Sequence, residues 1–148
     1  GYLSFEFAKV VGSEGKVYAL DILPSALEAV ASRAKILHLG NITPKRVNLE
    51  REGGSGLGMA SVDWVVLKDM LFQNEHKGVI LKEVSRVLKP GGSAIIMEWN
   101  PKASAVGPEK SLRIDPETLK ALLAEAGLSA DRNLPAGGYH YAFLAKKA

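Results

Sequence analysis

Two carboxylates stand where apolar runs of the sequence end. Asp21 directly follows the run at residues 16–20 (KVYAL), and Asp69 comes two positions after the run at residues 62–67 (VDWVVL). If both runs are parallel strands, their carboxyl ends form the ligand-binding edge of an α/β sheet, where a carboxylate can accept hydrogen bonds from both ribose hydroxyls. Asp21 is equally explained as a turn or helix-cap residue. The alternative for Asp69 is a loop carboxylate without a role, and we favour a functional role because several strand ends converge there.

Two histidines could serve in acid–base or metal chemistry. His38 falls in the last turn of a predicted helix, where the helix dipole favours a cation, and no second ligand lies at a metal-binding spacing. His140 alternates with Tyr139 and Tyr141, and no acidic partner is apparent, so we expect a structural His140 rather than a catalytic one. The sequence therefore predicts no metal site and gives no catalytic signature.

The elements that must position these residues centre on residues 62–99. The apolar run at 62–67 is followed by apolar residues at helical spacing, and these are Ile80, Leu81, Val84, Val87 and Leu88. Pro90, Gly91 and Gly92 are then expected to stop the helix and form a turn. A second apolar run follows at 93–99. This order is that of a βαβ unit with parallel strands, and both faces of its sheet should be covered by helices.

Periodicity and turn residues predict the remaining elements. Ser25 and Glu28 fit a capping box, and Asp115 followed by Pro116 is a strong helix start. The predicted helices cover residues 1–11, 25–39 and 115–126, and the predicted strands cover 16–20, 46–49, 128–134 and 139–145. The glycine-rich stretch at 53–58 is predicted to be a loop, because it is not preceded by a long apolar strand or followed by a helix.

Composition limits the classes of function. The 148 residues suit one domain, 47% are hydrophobic and 24% charged, and the net charge of +3 is too small to argue for nucleic acid. Absence of cysteine excludes disulfides, cysteine-ligated zinc and a thiol nucleophile, and fits a reducing, cytoplasmic location. No apolar stretch approaches the ~20 residues of a membrane-spanning helix.

The segments LKDMLFQNEH and KEVSRVLKPGGSAIIMEW carry a family resemblance. They resemble the second half of class I S-adenosylmethionine-dependent methyltransferases, the group that includes the ubiquinone/menaquinone-biosynthesis C-methyltransferases. The resemblance implies an α/β fold: a doubly wound, mostly parallel Rossmann-like sheet with an antiparallel C-terminal strand. It also implies S-adenosyl-L-methionine as cofactor and direct methyl displacement to a small-molecule acceptor, which the protein positions together with the cofactor.

The resemblance also implies roles for individual residues. Gly1 resembles the tail of a glycine-rich cofactor loop, and Asp21 the acid that binds the ribose. Ile22 and Leu23 would border the adenine, although core packing explains them as well.

Two further positions follow from the same resemblance. Glu52 would approach the adenine amino group, and the stretch Glu50-Arg51-Glu52 is equally explained as a solvated charge run. Lys68 would touch the cofactor through its backbone, and Asp69 would hold the acceptor or assist a proton transfer, as a weak catalytic candidate.

One departure from the family pattern has consequences. The family's first strand and most of its glycine-rich loop are not in this sequence, so we expect an N-terminally truncated domain with weak or absent cofactor binding. The strands at 16–20 and 62–67 would each keep an open edge where that strand belongs. We expect the gap to be closed by pairing these edges, by a rearranged segment, or by a strand from a second copy in a homo-oligomer.

Two alternatives stay open beside the methyltransferase. One is a non-catalytic domain of the same fold that acts in binding or assembly. The other is a dehydrogenase-like nucleotide-binding domain, which suits Asp21 but not the LKPGG turn at 88–92.

Overall fold

The computed structural model describes residues 2–102 and 106–148, so the proposed cofactor residue Gly1 lies outside the described residues. The chain divides into two compact units, Gly1–Asn48 and Leu49–Ala148.

The first unit alternates helices and parallel strands. Its elements are α1 (Tyr2–Val11), β1 (Val17–Asp21), α2 (Pro24–Ile36) and β2 (Ile42–Arg46). β1 and β2 run parallel, in a register from Val17 opposite Ile42 to Asp21 opposite Arg46. The side-chain amide of Asn41 donates to the carbonyl oxygens of Ala8 and Gly12, at 2.8 Å each, and so ties the start of β2 to the end of α1.

Three local predictions for this unit were wrong. Ser25 does not cap α2, because the helix begins at Pro24, which has no N–H to satisfy, and Leu23 is its N-cap without a side-chain bond. β2 ends at Arg46 instead of starting there, since an edge strand tolerates Pro44. His38 lies beyond α2 with a φ of 56°, in the left-handed region.

The second unit is a mixed four-stranded sheet with helices. Its elements are β3 (Val62–Lys68), α3 (Lys77–Val87), β4 (Leu88–Trp99), a 3₁₀ turn (Lys110–Leu112), α4 (Pro116–Glu125), β5 (Leu128–Leu134) and β6 (His140–Lys147). The strand order is β3-β4-β6-β5, with β3 parallel to β4 and β6 antiparallel to both neighbours. The predicted βαβ unit and the antiparallel C-terminal strand are confirmed.

The core of this unit lies between the sheet and its helices. Its largest fully buried aliphatic residues come from the loop after β3, from α3, β4, α4 and β5, and they are Leu71, Ile80, Leu81, Leu88, Ile96, Leu119, Leu123 and Leu128. Asp115 caps α4 as predicted, its carboxylate accepting the Glu117 N–H at 3.1 Å. The apolar period predicted the buried face of α3 correctly, although Leu88, which is also buried, belongs to β4 and not to the helix.

The LKPGG segment is a bulge inside β4 and not the end of a helix, so this prediction was wrong in part. α3 ends at Val87, and Leu88 is already extended and paired with Val62. The next pair joins Trp64 to Ser93, so residues 89–92 bulge out opposite the single residue Asp63. Gly91 has a φ of 79°, as expected for a turn, whereas Gly92 is not in the left-handed region.

Open strand edges occur in both units. Among the described residues, β1 is hydrogen-bonded to β2 alone and β3 to β4 alone. In the same residues, no helix is long and apolar enough to cross a membrane.

Candidate functional site

The carboxyl ends of β3 and β4 meet the start of β6 in the second unit. The chain leaves β3 at Asp69, whose N–H donates to the Met97 carbonyl at 2.9 Å, and the Asn100 N–H donates to the Tyr139 carbonyl at 2.8 Å. Asp69 has a φ of 55°. Aspartate tolerates this left-handed conformation better than most residues, and such strained positions concentrate at functional sites.

Asp69 and His140 form a close pair at this edge. Nε2 of His140 lies 2.9 Å from one carboxylate oxygen of Asp69 and 3.1 Å from the other. The two side chains are only 16% and 24% exposed, for His140 and Asp69 respectively, so the pair is shielded yet reachable. The expectation that His140 has no acidic partner was wrong, because the partner lies 71 residues away in the sequence.

Trp99 packs against the same histidine. Its ring centroid lies 4.2 Å from that of His140, with the two planes tilted by 32°. A Cβ atom at Gly107 would come within 2.7 Å of the Trp99 ring, so only glycine fits against the indole there. His140 is therefore held by a carboxylate at Nε2 and by an aromatic ring against the imidazole.

Arg113 organises the loop that follows β4. Its guanidinium donates to three backbone carbonyls of that loop: Asn100 at 2.9 Å, Val106 at 2.9 Å and Pro108 at 2.8 Å. The guanidinium carbon also lies 5.9 Å from the Trp99 ring centroid, within cation–π range. No sequence pattern singles out this arginine, because its partners are backbone atoms.

Glu98 is a buried acid that the sequence analysis missed. One carboxylate oxygen accepts the Phe72 N–H at 2.9 Å, while the other is buried and has no partner among the described residues. Burial raises the pKa of Glu98 to about 7, and the nearby Asp69 carboxylate acts in the same direction. The signal was a lone acid inside the apolar run of β4.

The glycine-rich loop at 53–58 is anchored by another buried acid, Glu83 of α3. Ser55 is buried and donates to Glu83 through its N–H and its hydroxyl, and Arg86 donates to the Leu57 carbonyl at 2.6 Å. Glu50 accepts the His76 N–H at 3.0 Å. Glu52 is exposed in the turn just before this loop, and Lys68 is exposed at the end of β3.

Asp21 ends β1 in the first unit, as predicted. One carboxylate oxygen accepts the Leu23 N–H at 3.0 Å, and the Asp21 carbonyl accepts the Val47 N–H at 2.8 Å. Ile22 and Leu23 are 52% and 57% exposed, so core packing does not explain them. A cavity of about 560 Å³ within this unit is lined by α1, β1 and α2 and reaches Asp21.

Comparison with known proteins places this arrangement in a family. The family model described as a methyltransferase domain matches residues 1–132. The chain belongs to this family, and its fold is the Rossmann-like α/β fold of S-adenosylmethionine-dependent methyltransferases.

Individual relatives agree with this assignment. The chain is 36% identical over 100 residues to ubiquinone/menaquinone biosynthesis C-methyltransferase UbiE of Neisseria meningitidis serogroup C, an alignment that covers 68% of this chain and 39% of the relative. It is 31% identical over 169 residues to the UbiE of Paraburkholderia phymatum, an alignment that covers 93% of this chain and 68% of that relative. The chain thus spans about two fifths of the length of the Neisseria relative.

Solved structures show the same fold. A SAM-dependent methyltransferase from Aquifex aeolicus superposes with a TM-score of 0.87 at 22% identity, covering 97% of this chain and 74% of that one. The trans-methyltransferase CalH, solved in complex with SAH, superposes with a TM-score of 0.69 at 16% identity, covering 90% and 43%.

Proposed function

We propose that this chain takes part in S-adenosylmethionine-dependent methyl transfer to a small-molecule acceptor. The observation that carries the proposal is the carboxylate of Asp21 at the end of β1, beside two exposed apolar side chains, in a chain of the methyltransferase-domain family. When bound, the cofactor supplies a sulfonium methyl group whose carbon accepts an electron pair from the acceptor. The residues of this chain then have to bind and orient the cofactor and the acceptor, and to accept or donate protons.

The residues of the first unit have the chemistry that adenosine requires. One carboxylate oxygen of Asp21 accepts the Leu23 N–H. The second oxygen is left to accept hydrogen bonds from ribose hydroxyls. Ile22 and Leu23 expose apolar surface next to that carboxylate, which suits the flat face of an adenine. These three residues are the proposed adenosine contacts.

Other cofactor contacts are proposed from the resemblance alone. They are the Glu52 carboxylate for the adenine amino group, the Lys68 backbone for the cofactor, and Gly1. Glu52 and Lys68 are exposed, so a ligand can reach both. Asp69 is proposed to act on the acceptor side.

The cofactor proposal is tested by calorimetric titration with S-adenosylhomocysteine. Asp21→Ala removes both carboxylate oxygens and should weaken binding by about 1–3 kcal/mol, the usual loss for a charged hydrogen-bond partner. Asp21→Asn keeps an acceptor for the Leu23 N–H and should lose less. Glu28→Ala, at an exposed position of α2, is the matched control and should bind like wild type.

The titration also separates the alternatives. Unchanged affinity in a well-folded Asp21→Ala variant contradicts the ribose contact. Weak binding agrees with the expectation that the cofactor loop is incomplete in this chain, whereas a folded wild-type chain that binds no S-adenosylhomocysteine even at millimolar ligand favours the second candidate, a non-catalytic domain of this fold acting in binding or assembly.

The acceptor class and the location complete the proposal. The relatives' names place their substrates in ubiquinone and menaquinone biosynthesis, which supports a small-molecule acceptor. The absence of cysteine supports the cytoplasm as the place of action.

A further inference from the structure

We propose that His140 takes a proton from the methyl acceptor through Nδ1 and that Asp69 positions it for this task. The inference rests on the proposed methyl transfer and adds the class of acceptor: a compound whose attacking group carries a dissociable hydroxyl proton, such as a phenol. It starts from the contact of 2.9 Å and 3.1 Å between Nε2 of His140 and the two oxygens of Asp69.

The carboxylate decides which ring nitrogen carries the proton. A neutral imidazole has one N–H and one lone pair, and a carboxylate only accepts hydrogen bonds. Asp69 therefore stabilises the tautomer with its proton on Nε2. The lone pair is left on Nδ1, which has no hydrogen-bond partner among the described residues and is the nitrogen that can act as a base.

The surroundings fix the direction of that lone pair. Trp99 stacks on the imidazole at 4.2 Å, and the indole is itself confined by the backbone of Gly107. The carboxylate contact at Nε2 and the indole contact against the ring both favour this orientation of the imidazole. A base held in one orientation loses less entropy when the acceptor arrives.

An imidazole base such as His140 assists only some classes of methyl acceptor. Methyl transfer needs a base only when the acceptor must lose a proton, and general-base catalysis works best when the acidities of base and substrate are not far apart. Phenolic hydroxyls, with a pKa of about 10, are within reach of an imidazole, whereas a neutral amine already has its lone pair available.

The proton balance of the step is simple. The hydroxyl proton moves to Nδ1, and the electron pair of the O–H bond stays on the acceptor, where it becomes available for the methyl carbon. The imidazolium, paired with the Asp69 carboxylate, then returns the proton to water. Charge is conserved at each stage, and no further reactant is needed.

The tautomer can be measured without any activity. Long-range ¹H–¹⁵N correlation spectra of the full chain at a pH where the imidazoles are neutral should show His140 with its proton on Nε2. In Asp69→Asn the side chain can donate as well as accept, so this signature should change to a mixture. His38 and His76, the other two histidines, are exposed and serve as internal references. A wild-type proton on Nδ1 overturns the inference.

Activity tests the acceptor class, with catechol as the probe. His140→Gln should reduce methyl transfer to catechol by about 10²–10⁴-fold, the usual contribution of a general base, with S-adenosylhomocysteine affinity unchanged. Equal rates in wild type and variant, or a wild-type chain that binds S-adenosylhomocysteine but does not methylate catechol, overturn the inference. A wild-type chain that does not bind S-adenosylhomocysteine counts instead against the proposed function. The tautomer of His140 is measured without cofactor or acceptor, so it tests the inference separately.

Discussion

The carboxylate of Glu83 accepts two hydrogen bonds from Ser55, from its N–H at 2.9 Å and from its hydroxyl at 2.5 Å. Arg86 adds a salt bridge to the same carboxylate at 2.6 Å. Helix α3 thereby fastens the glycine-rich loop at 53–58. The Arg86 hydrogen bond holds the pKa of Glu83 at about 2, below its ordinary value of 4.5, against the opposing effect of burial.

We expect Glu83→Gln to destabilise the protein by about 3 kcal/mol at pH 7, because its pKa is lowered from 4.5 to about 2 and each unit of the depression is worth about 1.4 kcal/mol. Between pH 4.5 and 2 the unfolded chain binds this proton more readily, so the stabilisation by Glu83 is lost as the pH falls through that range. Urea denaturation of variant and wild type at pH 7 and pH 2.5 measures the effect. A difference that is as large at pH 2.5 as at pH 7 would contradict this account. Glu125→Gln, exposed at the end of α4, is the control.

Glu98 should give the opposite pH dependence. Its pKa is raised from 4.5 to about 7 by burial, to which Asp69 adds, while the Phe72 and Leu71 N–H groups and Lys77 act against the rise. Between pH 4.5 and 7 the folded state holds the proton more tightly, so the stability falls as the pH rises through this window, by about 3 kcal/mol. Above pH 7 the loss is complete.

The measurement is the difference between wild type and Glu98→Gln across pH 4.5 to 8. Glutamine stays neutral and keeps an acceptor for the Phe72 N–H, so the variant should gain on wild type as the pH rises. A constant difference in the free energy of unfolding would show that Glu98 does not titrate in this range.

The parts of the fold that were predictable from the sequence are local. The β3–α3–β4 unit follows from two apolar runs and one helical period, and the start of α4 from Asp115 and Pro116. Boundaries set by tertiary pairing were not predictable: β2 takes its position from its register with β1, and Leu88 leaves the helix because it pairs with Val62.

The candidate site was predictable only residue by residue. Asp21 and Asp69 were placed by the rule that ligands bind at strand ends. The pairing of Asp69 with His140 spans 71 positions, so no local pattern contains it. Glu83 could have been singled out, because it lies at helical spacing with Ile80 and Val87. A lone acid on an apolar helix face indicates a buried carboxylate that is held by hydrogen bonds.

Gly91 and Gly92 should resist substitution for different reasons. Gly91→Ala meets no atom within 4 Å but must adopt a φ of 79°, at a cost of about 1 kcal/mol. Gly92→Ala places its Cβ 2.8 Å from the Lys89 carbonyl oxygen and 3.2 Å from that of Asp63, which forces the bulge to move and costs about 1–3 kcal/mol.

Thermal melts rank these variants, since each kcal/mol corresponds to about 2–4 °C in a chain of this size. Gly78→Ala is the control: it lies in α3 with nothing within 4 Å and should be neutral or stabilising. If both bulge variants have the melting temperature of wild type, the bulge does not require glycine at positions 91 and 92.

The open edge of β3 should make the protein self-associate. β3 is paired on one side only among the described residues, and Trp64 on this strand is 57% exposed. Unpaired backbone groups beside an exposed aromatic residue are a template for strand addition by a second copy, so we propose a homo-oligomer.

Size-exclusion chromatography with light scattering over a concentration series should show a mass above 15.8 kDa that rises with concentration. Trp64→Lys should shift the equilibrium to monomer, because a charged side chain on the edge disfavours pairing. Tyr139→Lys removes an aromatic residue that is 47% exposed and lies outside the strands, and should associate like wild type. A wild-type chain that stays monomeric throughout the series would refute the proposed association.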